Sequence, residues 1–399
     1  MKSILFLTSA NLAANPRLLK ELQLATTNGF SATVIQFAVG NWSDRMTAEL
    51  QQQFAGVEFI QLSALRKPLW PWLLSTALQK AGNFIPLQLR TGWMLSVSAG
   101  KRSFLLLQQL KKVNRKYDWV IAHNPAAFYP ASWFGKQTGA MIGIDVEDYH
   151  PGETTDIKAS HTMKKLMQHV LPTARYCSYA APLIAAEVQQ DIAGMKNQQL
   201  TILNGFDAAE FQMPVAAAAE PVKLIWFSQH IDAGRGLEEV LPVVNELYPK
   251  VELHLVGQLH QTFEQRYLGN QTGIVLHTPM QQKQLHLFLS EFDAGLATDL
   301  PVNRNRDIAL TNKIIAYAQA GLAIVAMHTS AQDLFLKESG LYYQQMENNR
   351  SSVRNALLQL YQKKKKGELN KQEQFQKGQR YAWHNLSQPL LNIWERSNA

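Results

Sequence analysis

The sequence has a single cysteine, Cys177, in 399 residues, which excludes an internal disulfide framework and favours a reducing compartment. It has no apolar run of roughly 18 residues or more, so no segment is expected to span a bilayer. The first residues, MKSILFLTSANLAANPR, lack the apolar core and small-residue cleavage site of a secretory signal. The expected location is therefore the cytoplasm, with the inner face of the plasma membrane within reach. No zinc-finger spacing or RNP-like aromatic pattern accompanies the basic residues, which argues against nucleic acid as a partner. The loop after the first apolar run carries no G-x-G-x-x-G, so a plain dinucleotide site is not expected. What the chain does have is 46% hydrophobic residues, enough for two domains with full cores, and a net charge of +8. That charge favours anionic partners such as anionic lipid or a phosphorylated substrate.

Short apolar or β-branched runs at 3–8, 32–37, 57–62, 119–122 and 141–146 alternate with helical patterns, the signature of a parallel sheet. The first helix is well marked: Asn15-Pro16 opens it and Asn28-Gly29 closes it. A second series, with runs at 199–203, 223–227, 251–256, 273–277, 293–297 and 322–326, repeats the alternation. The fold class expected is α/β, two doubly wound Rossmann-like domains in tandem. Residues 208–223, rich in alanine and proline, suit a linker bordering a cleft.

Two segments break the pattern. Residues 66–102 combine Trp70, Trp72 and Trp93 with Lys and Arg, a mixture found in helices lying at a membrane interface and equally in a helical insertion packed on a domain. The run Lys363 to Lys366 reads as a solvated helix end.

Open parallel sheets bind ligands beyond the carboxyl ends of their strands. Arg17 follows Pro16 near a helix N-terminus that favours anions, placing it to meet phosphate or acceptor. His123 stands at the end of the 119–122 run and is the candidate catalytic histidine. Asp145, Glu147, Asp148, His150 and Glu153 follow the next run and offer hard oxygen ligands for a divalent metal or acceptors for sugar hydroxyls. In the second half, a glycine-bearing turn places Arg235 ahead of a helix as the first choice for phosphate, its planar fork suited to a departing diphosphate. The stretch from Asn303 to Lys313 precedes a helix whose N-terminus, near Thr311 and Asn312, offers a second phosphate site, with Lys313 free to join it or to reach solvent.

Five segments of the second half, in order, resemble the retaining GT-B glycosyltransferases of family 4 (glycosyl transferases group 1). Ile202 to Asp207, ILNGFD, resembles the family's domain junction "PNGVD". Trp226 to Leu237 resembles "VGxxxxxKGL", with Arg235 at the lysine. Val256-Gly257 resembles the following "VG", and TNKIIAYAQAGLAIVA, from Thr311, resembles "SNKLFEYLAAGKPVVA". Tyr381 to His384 with Leu391 to Trp394 resembles the closing "fsW" and crossover helix. The first half is similar more loosely, through Pro16-Arg17 and through His123 to Glu147 against "HaHdp…yDxHE".

The resemblance implies an N-terminal acceptor-binding domain over 1–205, a nucleotide-sugar donor domain over 206–380 and a C-terminal helix over 381–399 returning to the first domain. It implies transfer of a sugar from a UDP- or GDP-sugar with retention, without an essential metal or cofactor, the donor's own phosphate oxygen taking the acceptor proton. It assigns His123 and Arg235 to catalysis and Arg17, Asp145, Glu147, Asn204, Gly205, Gln229, His230, Thr311, Asn312 and Lys313 to binding. One departure matters. The family's two glutamates, spaced eight apart, fall on Ile308 and Ala316, leaving Asp307 as the substitute beside the first, and the usual arginine before Arg235 becomes Gln229 or His230. The expected role is an enzyme of cell-surface polysaccharide or lipid-linked glycan synthesis. The alternatives are a degenerate transferase kept as a binding partner, and an epimerase or phosphorylase of the same architecture.

Overall fold

A computed structural model describes residues 1–214, 220–269 and 271–396. It resolves into two compact units, one formed by 1–202 with 387–399 and the other by 203–386. Alanines 216–219 at the middle of the expected linker lie outside the described residues.

The first unit is built on seven parallel strands, β1 (Ser3–Thr8), β2 (Ser31–Ala38), β3 (Glu58–Ser63), β4 (Trp119–His123), β5 (Met141–Val146), β6 (Tyr176–Tyr179) and β7 (Gln198–Thr201), in the order 3-2-1-4-5-6-7. Strands β1 and β4 are buried along their whole length, as a sheet covered by helices on both faces requires. The helix Pro16–Thr27 starts where Asn15 accepts from the Leu18 N–H, with Pro16 at the first turn, and Gly29 beyond it takes a positive φ. The C-terminal helix Gln388–Arg396 belongs to this unit: Trp394 is wholly buried between Phe6 and Phe30 and donates through Nε1 to the Tyr176 hydroxyl at 3.1 Å.

The second unit carries six parallel strands, β8 (Val222–Ile231), β9 (Val251–Leu259), β10 (Ile274–His277), β11 (Ala294–Ala297), β12 (Ala323–Met327) and β13 (Tyr343–Met346), in the order 10-9-8-11-12-13. Two strands escape the sequence reading. β6 (YCSY) and β13 (YQQM) are four residues each and mix polar with apolar side chains, so neither produces a clear apolar run. The run at 199–203, read as the start of the second series, is corrected: β7 pairs with β6 and closes the first sheet. Strand β8 also runs on to Ile231, past an irregularity between Phe227 and His230, where the sequence suggested a loop from Ser228.

The segment 66–102 is largely helical. It contains the helix Leu69–Phe84, a turn at Leu87–Leu89 and the buried helix Gly92–Ala99. Among the described residues, no helix is long and apolar enough to cross a membrane.

Candidate functional site

Register places the polar residues of the first unit. The parallel ladders set Thr8 beside His123, His123 beside Asp145 and Asp145 beside Ser178, so one row of side chains crosses the carboxyl ends of four strands. Arg17 and Glu21, one helical turn apart on Pro16–Thr27, meet this row. The Arg17 Nε lies 2.7 Å from Asp145, and its Nη1 donates to the Ile202 carbonyl at 2.6 Å. Ser178 Oγ donates to Asp145 at 2.6 Å. The His123 ring sits between acids, with Nε2 3.3 Å from Glu21 and Nδ1 3.3 Å from Asp145 and 3.4 Å from Glu147.

Neighbouring charges outweigh burial at three of these groups. Burial raises the Asp145 carboxyl, but the Arg17 charge and the contacts of His123 and Ser178 outweigh it and hold the group at about 2. Burial likewise works against a charged His123, yet Glu21, Asp145 and Glu147 raise the imidazole well above its usual range. Arg17 is also raised, its burial outweighed by Asp145 and Glu21. At Glu21 burial prevails and raises the carboxyl against the opposing pull of His123 and Arg17, so Arg17, His123 and the three carboxyls titrate as one coupled group.

Two sequence expectations change accordingly. Arg17 is 2% exposed and does not meet an open surface; it is the buried counter-ion of Asp145. His123 is wholly buried, its two ring nitrogens held against Glu21 on one side and Asp145 and Glu147 on the other, and these carboxylates raise the imidazole well above its usual range. Glu147 is the partly exposed member of the group. The acid cluster after β5 divides, with Asp145 and Glu147 facing His123 while His150 pairs with Glu153 at 2.9 Å. Glu21, His123 and Asp145 each offer an atom within 4.8 Å of the others, the spacing of metal ligands. The Arg17 guanidinium against Asp145 supplies positive charge there already, which disfavours a divalent cation.

The second unit holds an open pocket of about 510 Å³ at the carboxyl ends of β8, β9 and β11. Phe227, Val256, Pro279, Met280 and Leu285 give one part of its lining an apolar character; Arg235, Arg306, Lys313, Thr311 and Asn312 make the rest cationic and polar. The turn bearing Arg235 is fixed from below. Trp226 Nε1 donates to Thr298 Oγ1 at 2.9 Å, and Thr298 Oγ1 donates to the Arg235 carbonyl at 2.6 Å. Gly236, at φ +75°, lies so close that a Cβ would stand 2.3 Å from the Thr298 carbonyl oxygen, and no other residue fits there. The next helix begins only at Val240, so Arg235 sits on a turn and not at a helix N-terminus.

That N-terminus is supplied instead by Asn312–Gln319. Thr311 precedes it but does not cap it, because its hydroxyl donates to Asp299 at 3.2 Å, and the first N–H groups of the helix lack a side-chain cap. Lys313 lies 3.2 Å from the other Asp299 oxygen and 5.2 Å from the centre of the Trp226 ring. Asp299 is the one carboxylate among the described lining residues. Sequence reasoning missed it, although it follows the end of β11, where the strand-end rule directs the search. Arg306 and His286 were missed as well; His286 is stacked on Phe211 and held by Glu210 at 2.6 Å.

Of the expected binding residues, Gln229, Arg235, Thr311, Asn312 and Lys313 line this pocket together. Others do not. His230 projects from β8 to solvent beside His260. Asp307 accepts from the Ser330 N–H and hydroxyl at 2.8 and 2.9 Å, at the start of the helix Ser330–Ser339, and from Arg304, and it lies outside the pocket lining. Gly205 is there for close packing: a Cβ would stand 1.9 Å from the Tyr381 carbonyl oxygen. Asn204 lies beside it, outside the pocket lining. Ala316 and Ile308, at the places of the family's glutamates, are both buried, so those positions face the core of the unit.

No family model and no curated protein matches the sequence. Solved structures match over the whole chain. The Anabaena protein HepE, in complex with UDP, aligns with a TM-score of 0.67 at 14% identity, covering 99% of this chain and 100% of its own. A glycosyltransferase from Rickettsia africae aligns with a TM-score of 0.66 at 12% identity, covering 100% and 99%. A candidate UDP-N-acetylglucosamine 2-epimerase from Listeria monocytogenes aligns with a TM-score of 0.59 at 12% identity, covering 100% and 98%. At these identities the likeness is one of fold: two Rossmann-like units, each a parallel sheet with its polar residues at the carboxyl ends of the strands, give this chain the GT-B fold of nucleotide-sugar glycosyltransferases.

Proposed function

We propose that the protein transfers a sugar from a UDP- or GDP-sugar to a glycan or lipid-linked acceptor in cell-surface polysaccharide synthesis. The reading includes retention at the anomeric carbon and no essential metal. One observation carries it: a single pocket joins an apolar lining suited to a base with a cationic one suited to a diphosphate. HepE, of the same fold, is known in complexes with UDP and with UDP-glucose. In the reaction the bond between the sugar's anomeric carbon and the donor phosphate breaks, a bond to the acceptor oxygen forms, and the acceptor proton passes to the departing phosphate. Arg235, Lys313 and the uncapped N–H groups of Asn312–Gln319 stabilise the charge that develops on the diphosphate, a role a divalent cation would otherwise fill.

Two other readings keep a specific observation behind them. The burial of Ala316 and Ile308 favours a binding partner that has lost turnover. The likeness to the Listeria protein extends to nucleotide-sugar epimerisation. A panel of UDP- and GDP-sugars, incubated with glycan and lipid-linked acceptors in the presence of a chelator, separates the three. Release of nucleoside diphosphate at the rate seen without chelator is expected. An absolute need for added metal would refute the metal-independent reading. Absence of release with every donor would favour the binding partner, and conversion of the donor to its epimer would favour an epimerase.

A further inference from the structure

The helix Leu69–Phe84 has its amphipathic pattern inside out. It buries Ser75 and Gly82, small residues that bring it close to Gly92–Ala99: a Cβ on Gly82 would stand 2.5 Å from Ser98 Oγ, and Gln79 donates to the Ser98 carbonyl at 3.4 Å. Five of its seven large apolar residues face outward, Trp72 and Leu78 being partly buried. Trp70 is 79% exposed and Phe84 89% exposed, with Leu73, Leu74 and Leu69 also open to solvent. Trp70, Leu73, Leu74, Ala77, Ala81 and Phe84 recur at intervals of three, four and seven, so they form one outward stripe along the helix. A helix that served only to cover the domain would turn that stripe inward.

Charge says what meets the stripe. Between Glu58 and Asp118 the chain has no acidic residue and ten Lys or Arg, while the whole chain carries a net charge of only +8. Arg66 and Lys101 stand over the Trp72 ring at 5.0 and 4.7 Å, and Lys67 and Lys80 are exposed near and on the helix. An apolar stripe with Trp among cations fits an interface that is apolar beneath and anionic above.

We propose that Leu69–Phe84 docks the protein on an anionic bilayer surface, its apolar stripe entering the headgroup boundary and its flanking cations meeting lipid phosphates. The inference shares with the proposed function only the idea that the acceptor is membrane-borne. Vesicle binding needs neither donor nor acceptor, so either idea can fail alone. The full chain is expected to sediment with vesicles of equal parts phosphatidylglycerol and phosphatidylcholine, to do so less as salt rises, and to stay in solution with phosphatidylcholine alone. The combined variant Trp70→Ala, Leu74→Ala, Phe84→Ala should keep the wild-type melting temperature, since these side chains are exposed, and lose about tenfold or more in binding. Lys67→Glu with Lys80→Glu should lose binding while leaving the stripe intact. Unchanged binding by either variant, or no binding of the wild type to the anionic vesicles, would overturn the proposal. So would self-association of the wild type in solution that the apolar variant abolishes, because a second copy would then be what covers the stripe.

Discussion

Arg235→Ala is expected to lower turnover by about 10²-fold or more, in the range seen when one preorganised donor to a developing anion is removed. The residue is held by its backbone and not by chance packing. Thr298 grips its carbonyl, Trp226 fixes Thr298, and Gly236 permits the close approach. The side chain is thus presented from a fixed turn to the pocket that the N-terminus of Asn312–Gln319 also lines. Because charge grows on the diphosphate as the sugar leaves, the loss should fall on kcat more than on KM. Arg235→Lys, which keeps the charge but not the fork, should recover part of the rate. Steady-state release of nucleoside diphosphate reads all of this, and wild-type turnover in the alanine variant would remove Arg235 from the mechanism.

Arg17→Ala should cost the first unit about 3–5 kcal/mol, the usual range when one partner of a buried ion pair is removed and the other stays. Asp145 would remain wholly buried with a single hydroxyl donor, Ser178, and the pull of His123 shared with two other acids. For a unit of this size such a loss lowers the melting temperature by roughly 10 °C. The effect has a pH signature. In the wild type the Asp145 carboxyl titrates at about 2 against its ordinary 3.8, so its contribution is complete above 3.8 and is lost as pH falls towards 2. Without Arg17 the carboxyl rises and takes up a proton sooner, so the deficit should narrow between neutral pH and about pH 4. Thermal melts across that range check it, and a deficit of constant size, or none, would contradict the assignment of Arg17 to Asp145.

These two arginines show how much of the site was legible in the sequence. Both were chosen because they follow a strand near a turn, and for Arg235 the rule works: the turn is polar, glycine-bearing and open. Arg17 satisfies the same rule but lies on the first turn of a helix whose next turn brings Glu21 over the row of His123 and Asp145. Burial there is a tertiary property with no local signature. The same holds for His123, whose position at the end of β4 is plain in the sequence while its enclosure by three acids from one helix and one neighbouring strand with its following loop is not. The fold itself was largely readable, because ten of the strands announce themselves as apolar runs alternating with helical patterns in the expected sheet. The strands β6 (YCSY) and β13 (YQQM) were not, since they mix polar with apolar side chains and give no apolar run, and their ladder partners specify them instead. Asp299 has no local signature beyond its place after β11; its value comes from Thr311 and Lys313, which reach it only once the helix Asn312–Gln319 is in place.

The central claim is that the second unit's pocket binds the nucleoside diphosphate part of a sugar donor. Isothermal titration of the full chain with UDP, GDP and the corresponding monophosphates tests it most directly. Saturable binding of at least one diphosphate is expected, with affinity about tenfold or more weaker for its monophosphate because the cationic lining is then only half used, and a matching loss in Arg235→Ala. No heat from either diphosphate, or equal affinity for diphosphate and monophosphate, would contradict it.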